Sequence, residues 1–243
     1  MRVQQRRVCA EHLDVLPPGD PQAQRSRRDL QRIHRAMHSV AILRGVLSDL
    51  RLAAPPRRVL ELGAGDGSWL LRLARALRPP WRGVEVTLLD RHDLVSEATR
   101  RAYRALDWEV TVICADALSW AREPVTARYD LCLATLFLHH FDQARLKVLL
   151  CAAAARTEAF VCGEPRRDLL GRLASAGSGL IGASGITRQD ALSSVAAGFR
   201  GRELSTLWAA LAGHWSVAEF RALPFMHCFA AVRVPGAGGG VAS

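Results

Sequence analysis

Short apolar runs alternate with amphipathic segments through the middle of this 243-residue chain. The apolar runs predict strands at 58–62, 84–89, 109–114, 129–134 and 159–163. The segments between them predict helices at 68–77, 94–106 and 143–155 and a short helical turn near 117–121. Strands that are apolar throughout are typical of a sheet covered on both faces. The alternation therefore predicts an α/β fold with a parallel sheet and right-handed crossovers.

This alternation is confined to a core over residues 57–163. A Gly-, Ala- and Ser-rich segment, 164–206, is longer than a normal crossover, and we expect helices there that fold over the sheet as a lid. A helix near 203–212 and two strands, 215–223 and 226–234, follow. Because these strands are joined at Pro224, they predict a hairpin-like pair that closes the domain.

The two ends of the chain have different patterns. Residues 1–23 are polar and broken by proline, so they predict a loose arm. A leading helix, 24–54, follows, with Ser26 as a candidate N-cap and helical spacing of apolar residues to about Leu50. The tail, 235–243, predicts disorder. The domain itself therefore spans 24–234.

Composition restricts the partners. The formal net charge is +10 and the apolar fraction is 49%. No apolar run approaches the ~20 residues of a membrane span, and the basic start lacks the apolar region of a signal peptide, so we expect a cytoplasmic protein. Lys147 is the only lysine. Two arginine clusters indicate either solvated helix faces or phosphate contact, namely Arg25/Arg27/Arg28/Arg32/Arg35 and Arg166/Arg167/Arg172. The six cysteines lack zinc-site spacing, and no metal is expected.

The most informative motif is the turn after the first strand, where Glu61 precedes glycines at positions 63, 65 and 67. Alternate glycines let a ligand lie against the backbone and allow positive φ angles. Dinucleotide sites use G-x-G-x-x-G, whereas Ser68 stands at the third glycine of that pattern. Glu61 would repel a pyrophosphate and attract a cation. A tight turn without a ligand is the alternative.

The pattern E-x-G-x-G-x-G resembles motif I of class I S-adenosylmethionine-dependent methyltransferases. The resemblance implies a Rossmann-like seven-stranded sheet, mostly parallel with an antiparallel last strand, helices on both faces and a helical lid. S-adenosylmethionine is then the cofactor and S-adenosylhomocysteine its product. The residues implied to bind this donor are Glu61, Gly63, Ala64, Gly65, Gly67, Asp90, Arg91, Asp116, Ala117, Ala134 and Thr135.

Three strand ends carry this assignment. Asp90, at the end of the second strand, would accept the ribose hydroxyls; otherwise it is a solvated loop residue. Asp116 would accept the adenine amino group, although an N-cap is compatible with the same position. The backbone at 134–136 would face the methionine part of the donor.

Two adjacent histidines, His139 and His140, follow the fourth strand and are expected near the acceptor. Histidine is the natural base near neutral pH for deprotonating a phenol. The alternative to a catalytic role is that these histidines stand at the start of a helix and only shape the pocket. His227, on the last strand, could point to the same region, but a packed strand histidine is the favoured interpretation.

The resemblance is closest to bacterial methyltransferases of small phenolic, quinone or polyketide-like metabolites. We therefore expect O- or C-methylation of a small hydrophobic acceptor by a monomer or homodimer, with nucleic acid disfavoured as a partner. An RNA methyltransferase and a non-catalytic adenosyl-ligand-binding protein are the alternatives. A nicotinamide dehydrogenase is disfavoured by Glu61 and the glycine spacing.

Overall fold

The computed structural model describes residues 5–9, 16–17, 19–50, 52, 54–168 and 185–234. The predicted tail, 235–243, lies outside the described residues. So does 169–184, the middle of the predicted lid.

The described residues form one seven-stranded sheet with the order β3-β2-β1-β4-β5-β7-β6. Its strands are β1 Arg58–Leu62, β2 Val84–Asp90, β3 Trp108–Cys114, β4 Tyr129–Thr135, β5 Thr157–Pro165, β6 Trp215–Ala222 and β7 Met226–Arg233. The first five strands pair in parallel. Strand β7 runs antiparallel to both β5 and β6. The predicted sheet and its antiparallel last strand are therefore confirmed.

The described helices cover both faces of this sheet. They are α1 Pro21–Ala36, α2 Ser39–Asp49, α3 Ser68–Ala76, α4 Glu97–Arg104, α5 Ala117–Arg122, α6 Gln143–Arg156, α7 Gly185–Ala197 and α8 Glu203–Trp208, with a 3-10 turn at Leu138–His140. One core packs α2, α3 and α4 on the sheet around Leu43 and Tyr103. The other packs α6 and α8 around Leu149 and Trp208. In the described part of the chain, no helix has the length and apolar character needed to cross a membrane.

The leading helix differs from its prediction. It begins after Asp20, whose carboxylate accepts from the backbone N–H groups of Gln22 and Ala23, and not at Ser26. It also divides in two, because His38 takes a left-handed conformation at φ 52° between α1 and α2. Ser26 is buried and bonds to Thr187 of α7 instead of capping a helix.

The prediction of a loose arm over residues 1–23 is wrong for residues 5–9. The backbone N–H of Arg7 donates to the Ala196 carbonyl at 3.2 Å, which holds this segment against the end of α7. The last residues of the predicted arm, 21–23, are the first turn of α1. Residues 1–4 and 10–15 of the arm lie outside the described residues.

Parallel strands place their carboxyl ends at one edge of the sheet. Strands β1, β2, β3 and β4 all end there, and each is followed by residues that the sequence singled out. Ligands bind at this edge in open α/β sheets. The site described next lies there.

Candidate donor and acceptor site

The glycine turn joins β1 to α3 and is fixed by backbone bonds. Its glycines at 63, 65 and 67 have φ angles of 69°, 56° and 69°. The Leu89 carbonyl, from β2, accepts the N–H groups of Gly63 and Ala64 at 2.9 and 3.1 Å. The Tyr103 hydroxyl, from α4, donates to the Gly67 carbonyl at 2.8 Å. The turn is therefore held rigidly between two neighbouring elements.

Two positions of the turn differ in what lies above them. A Cβ on Gly63 would overlap the aromatic ring of Phe137, which follows β4. A Cβ on Gly65 would meet nothing within 4 Å. Gly63 is therefore required by a packed side chain as well as by its φ angle, whereas Gly65 opens to free space in which a ligand can approach the backbone.

Three carboxyl groups surround the turn. Glu61 is 3% exposed, and its Oε2 is buried with no hydrogen-bond partner among the described residues. Burial raises the pKa of Glu61 well above its ordinary value, and the charges of Asp66 and Asp90 raise it further. A buried acid beside two other acids is stabilised in its charged form by a cation. The turn thus favours a positively charged ligand.

The acids at the next two strand ends are already partly engaged. Oδ2 of Asp90 accepts from the Gly65 N–H at 2.9 Å, and its Oδ1 accepts from His92. Oδ1 of Asp116 accepts from the N–H groups of Leu118 and Ser119, so this residue is the N-cap of α5. One oxygen of Asp116 therefore serves the helix, which leaves the other for a ligand.

A cleft of about 670 Å³ opens at this edge of the sheet. The predicted residues that line it are Glu61, Gly63, Ala64, Gly65, Asp90, Arg91, Asp116, Ala117, Thr135 and His140. Gly67, Ala134 and His139 are not part of its wall. Gly67 instead begins α3, and Ala134 is fully buried in β4.

One wall of the cleft comes from α1, which the sequence did not assign to the site. Its lining residues are Arg27, Leu30, Gln31 and His34, which share one helix face. The Gln31 amide donates to Asp66 Oδ2 at 2.8 Å and ties α1 to the glycine turn. The amphipathic spacing of α1 predicts a helix, but nothing local indicates which element its polar face meets.

The two candidate histidines face different surroundings. His139 is 3% exposed, and its Nδ1 lies 2.8 Å from Oε2 of Glu164 in β5. Glu164 also accepts backbone N–H groups of residues 137, 138 and 139. His140 is half-buried and lines the cleft, with its ring centroid 4.3 Å from that of His139. The structure therefore separates a packed histidine from one that a ligand can reach.

His227 is packed, as the sequence favoured. Its Nε2 lies 2.7 Å from Oε1 of Glu219 on the neighbouring strand, and both side chains are almost fully buried. It does not line the cleft.

Comparisons with known proteins agree with this arrangement. The sequence matches the family described as "Methyltransferase domain" over residues 59–158. The sheet order and its antiparallel β7 are those of the class I methyltransferase fold. The chain therefore combines a segment that matches this family with the strand order of the class I methyltransferase fold.

Solved structures of methyltransferases share this fold. The plantazolicin methyltransferase BpumL, in complex with a triazolic desmethylPZN analog and SAH, is 14% identical with a TM-score of 0.63, over 88% of this chain and 92% of that one. Magnesium protoporphyrin IX methyltransferase from Synechocystis PCC 6803, with bound SAH, is 17% identical with a TM-score of 0.50, over 91% of each chain.

An O-methyltransferase family protein from Burkholderia thailandensis is 17% identical with a TM-score of 0.55, over 82% of this chain. The chain spans only 57% of that protein's length. No curated protein matches the sequence. Because these identities are low, the likeness concerns the fold, and the acceptor has to be argued from the cleft.

Proposed function

We propose that this protein transfers the methyl group of S-adenosylmethionine to a small hydrophobic acceptor, a phenolic, quinone- or polyketide-like metabolite, by O- or C-methylation. The observation that carries the proposal is one cleft, lined by the glycine turn, by His140 and by the rings of Phe137 and Phe141, which we call the aromatic wall. The methyl donor supplies an electrophilic methyl group on a sulfonium centre. The chain has to bind it, align the acceptor and exclude water.

The glycine turn and its acids fit the donor. The free space above Gly65 admits a ligand to the backbone, and Glu61 favours a positive charge such as that of a sulfonium or ammonium group. Asp90 and Asp116 stand at successive strand ends and suit a ribose and an adenine amino group respectively. The Asp116 oxygen that does not cap α5 is available for this role.

The other half of the cleft fits a flat apolar acceptor. Phe137 and Phe141 meet edge to face with ring centroids 5.1 Å apart, and both line the cleft. Leu30 of α1 and Leu136 line it as well. Aromatic and aliphatic side chains of this kind stabilise a planar hydrophobic ligand through apolar contact.

His140 is our candidate general base. It lines the cleft beside the aromatic wall, with its ring centroid 6.4 Å from that of Phe137. For a phenol, His140 would take the hydroxyl proton as the oxygen forms its bond to the methyl carbon. The carbon–sulfur bond breaks, and its electron pair remains on sulfur as a neutral thioether. His139, held by Glu164, would support the His140 ring without touching the acceptor.

Titration calorimetry with S-adenosylmethionine and S-adenosylhomocysteine tests the donor half of the proposal. Transfer of a labelled methyl group to 4-methylcatechol, 2-naphthol, decylubiquinol and bulk tRNA tests the acceptor half. Binding of both ligands with transfer to a small aromatic acceptor supports the proposal. Binding without transfer to any pool supports a non-catalytic adenosyl-ligand-binding protein, and failure of both ligands to bind overturns the donor assignment.

The tRNA sample covers a second candidate, an RNA methyltransferase. It is favoured by the exposed side chains of Arg25, Arg28 and Arg35 along α1, the helix whose other face lines the cleft. Contacts to phosphate groups make the affinity for RNA fall steeply as the salt concentration rises. Transfer to tRNA together with a steep salt dependence would replace the small-molecule acceptor by RNA.

A further inference from the structure

Residues 5–9, where the sequence predicted a loose arm, bond to the end of α7 and to Phe141, which follows β4. We call this segment the strap. Its residues Val8 and Cys9 line the cleft. None of the motifs in the sequence assigns a role to this segment.

Arg6 is the anchor of the strap. Its Nε donates to the Ala197 carbonyl at 2.8 Å, and its Nη2 donates to the Phe141 carbonyl at 3.1 Å. The guanidinium carbon lies 4.2 Å from the centre of the Phe199 ring. Two charge-assisted hydrogen bonds and a cation–π contact fix both the position and the plane of this side chain.

The same contacts connect the strap to the acceptor wall. Phe141, whose carbonyl accepts from Arg6, packs against Phe137 and lines the cleft. Burial lowers the pKa of Arg6, and the carboxylates of Glu164 and Glu203 partly oppose that change. Glu164 is the partner of His139. Arg6 thus links the strap, the aromatic wall and the histidine pair.

We propose that the strap forms one wall of the acceptor site and that Arg6 is the positioning residue that holds it there. The inference rests on the proposed function, since it assigns part of the acceptor site of that reaction. The hydrogen bonds of Arg6 and Arg7 reach α7 and Phe141, whereas the candidate donor half is built from the glycine turn and the ends of β2 and β3. Loss of the strap therefore acts on the acceptor and leaves the donor bound.

The kinetic test compares Arg6→Met with Arg7→Met. Methionine keeps the apolar length of arginine but lacks its donors and its charge. Arg7 is the matched control because its side chain is exposed and, among the described residues, its bond to α7 comes from the backbone N–H. The acceptor is the small aromatic compound that the wild-type chain methylates fastest among 4-methylcatechol, 2-naphthol and decylubiquinol.

For Arg6→Met we expect the KM for this acceptor to rise about tenfold or more, since hydrogen bonds to charged groups contribute that much. The donor Kd should stay unchanged, and Arg7→Met should match the wild-type chain in both constants. Equal acceptor KM values for Arg6→Met and wild type would overturn the proposal. A rise in donor Kd equal to that in acceptor KM would overturn it too, because a general loss of structure would then explain both.

Cys9 gives a readout that needs no turnover. It is exposed and lines the cleft, whereas the exposed Cys151 lies on α6 outside the cleft and is the internal reference. We expect bound 2-naphthol or 4-methylcatechol to suppress labelling of Cys9 by N-ethylmaleimide relative to Cys151, as measured by peptide mass spectrometry. Arg6→Met should lose that protection.

The two experiments separate this inference from the proposed function. Absence of methyl transfer by the wild-type chain counts against the proposed function, and the labelling result then decides the strap. If neither phenol protects Cys9 in the wild-type chain, the strap is not a wall of the acceptor site.

Discussion

The aromatic ring of Phe137 occupies the space that a side chain at position 63 would need. Gly63 belongs to the glycine turn after β1, and Phe137 follows β4, so the contact joins two strand ends of the sheet. The first glycine of the motif therefore has two functions. It adopts φ 69°, and it leaves room for the Phe137 ring, which packs against Phe141 in the aromatic wall.

Gly63→Ala should weaken donor binding and lower stability. The methyl group would meet the Phe137 ring, and left-handed backbone adds about 1–2 kcal/mol for a residue with a Cβ. Together with displacement of the ring, we expect a loss of about 2 kcal/mol or more in the free energy of unfolding. Urea denaturation and calorimetry with S-adenosylhomocysteine measure the two effects.

Gly45→Ala is the matched control for that variant. Gly45 is exposed within α2, and a Cβ there would meet nothing within 4 Å. Alanine is favoured over glycine inside a helix by about 1 kcal/mol. This control should be equally or more stable than wild type, and a Gly63→Ala protein that behaves in the same way would contradict the contact with Phe137.

Glu61→Gln should stabilise the free protein at alkaline pH. The unfolded chain releases the Glu61 proton near the ordinary pKa of 4.5, while the folded chain holds it to higher pH. At a pH between the pKa of Glu61 in the unfolded chain and its higher pKa in the folded chain, folding takes up a proton. The wild-type chain therefore loses stability as pH rises through that interval. Glutamine removes this loss, so Tm should exceed that of wild type at pH 8 and match it at pH 4.

The same substitution should weaken the donor. The ionised carboxylate attracts a cationic ligand, so the wild-type affinity for S-adenosylmethionine rises with pH over that interval. Glu61→Gln should lose the rise and bind about tenfold more weakly at pH 8, which is about 1.4 kcal/mol. Glu85→Gln, at an exposed acid of β2, is the control. A pH-independent wild-type affinity would contradict the role of Glu61.

His140→Ala should lower kcat while the donor Kd stays the same. General bases contribute about 10²–10⁴-fold, and His140 is the histidine of the pair that lines the cleft. His214→Ala, at an exposed site before β6, should leave kcat unchanged. The measurement is steady-state methyl transfer to the best phenolic acceptor at saturating donor and acceptor. An unchanged kcat in His140→Ala would remove the base assignment.

His139→Ala should mainly lower the stability of the folded protein. Its ring bonds to the buried Glu164 carboxylate, and a hydrogen bond to a charged group contributes about 2 kcal/mol. We expect a lower Tm for this variant than for His140→Ala. Replacing both histidines should abolish turnover while donor binding survives.

Two substitutions of Asp116 separate its role as the N-cap of α5 from its proposed role in binding the donor. Serine caps a helix as well as aspartate but lacks the second oxygen. Alanine has no side-chain oxygen and does not cap the helix. Asp116→Ser should therefore keep the wild-type Tm and bind S-adenosylmethionine more weakly. Asp116→Ala should also lose about 1 kcal/mol of stability. Equal donor affinity in Asp116→Ser and wild type would leave Asp116 as an N-cap alone.

Local sequence patterns are sufficient to predict the sheet and the glycine turn. Buried parallel strands are continuous apolar runs, and the glycines at 63, 65 and 67 stand directly after the first of them. Because parallel strands end at one edge, Asp90 and Asp116 had to lie beside that turn. These inferences need only local patterns and the direction of the strands.

Which side chains meet depends on tertiary packing. His139 and His140 are neighbours in sequence, and only Glu164, 25 residues beyond His139, determines that His139 is the buried one. Arg6 donates to the Ala197 carbonyl, 191 residues away in the sequence. This bond holds the strap against the end of α7, although its sequence predicts a loose arm. Such contacts depend on shape and hydrogen bonding between distant elements. They leave no periodic or spacing signal in the chain, so packing alone reveals them.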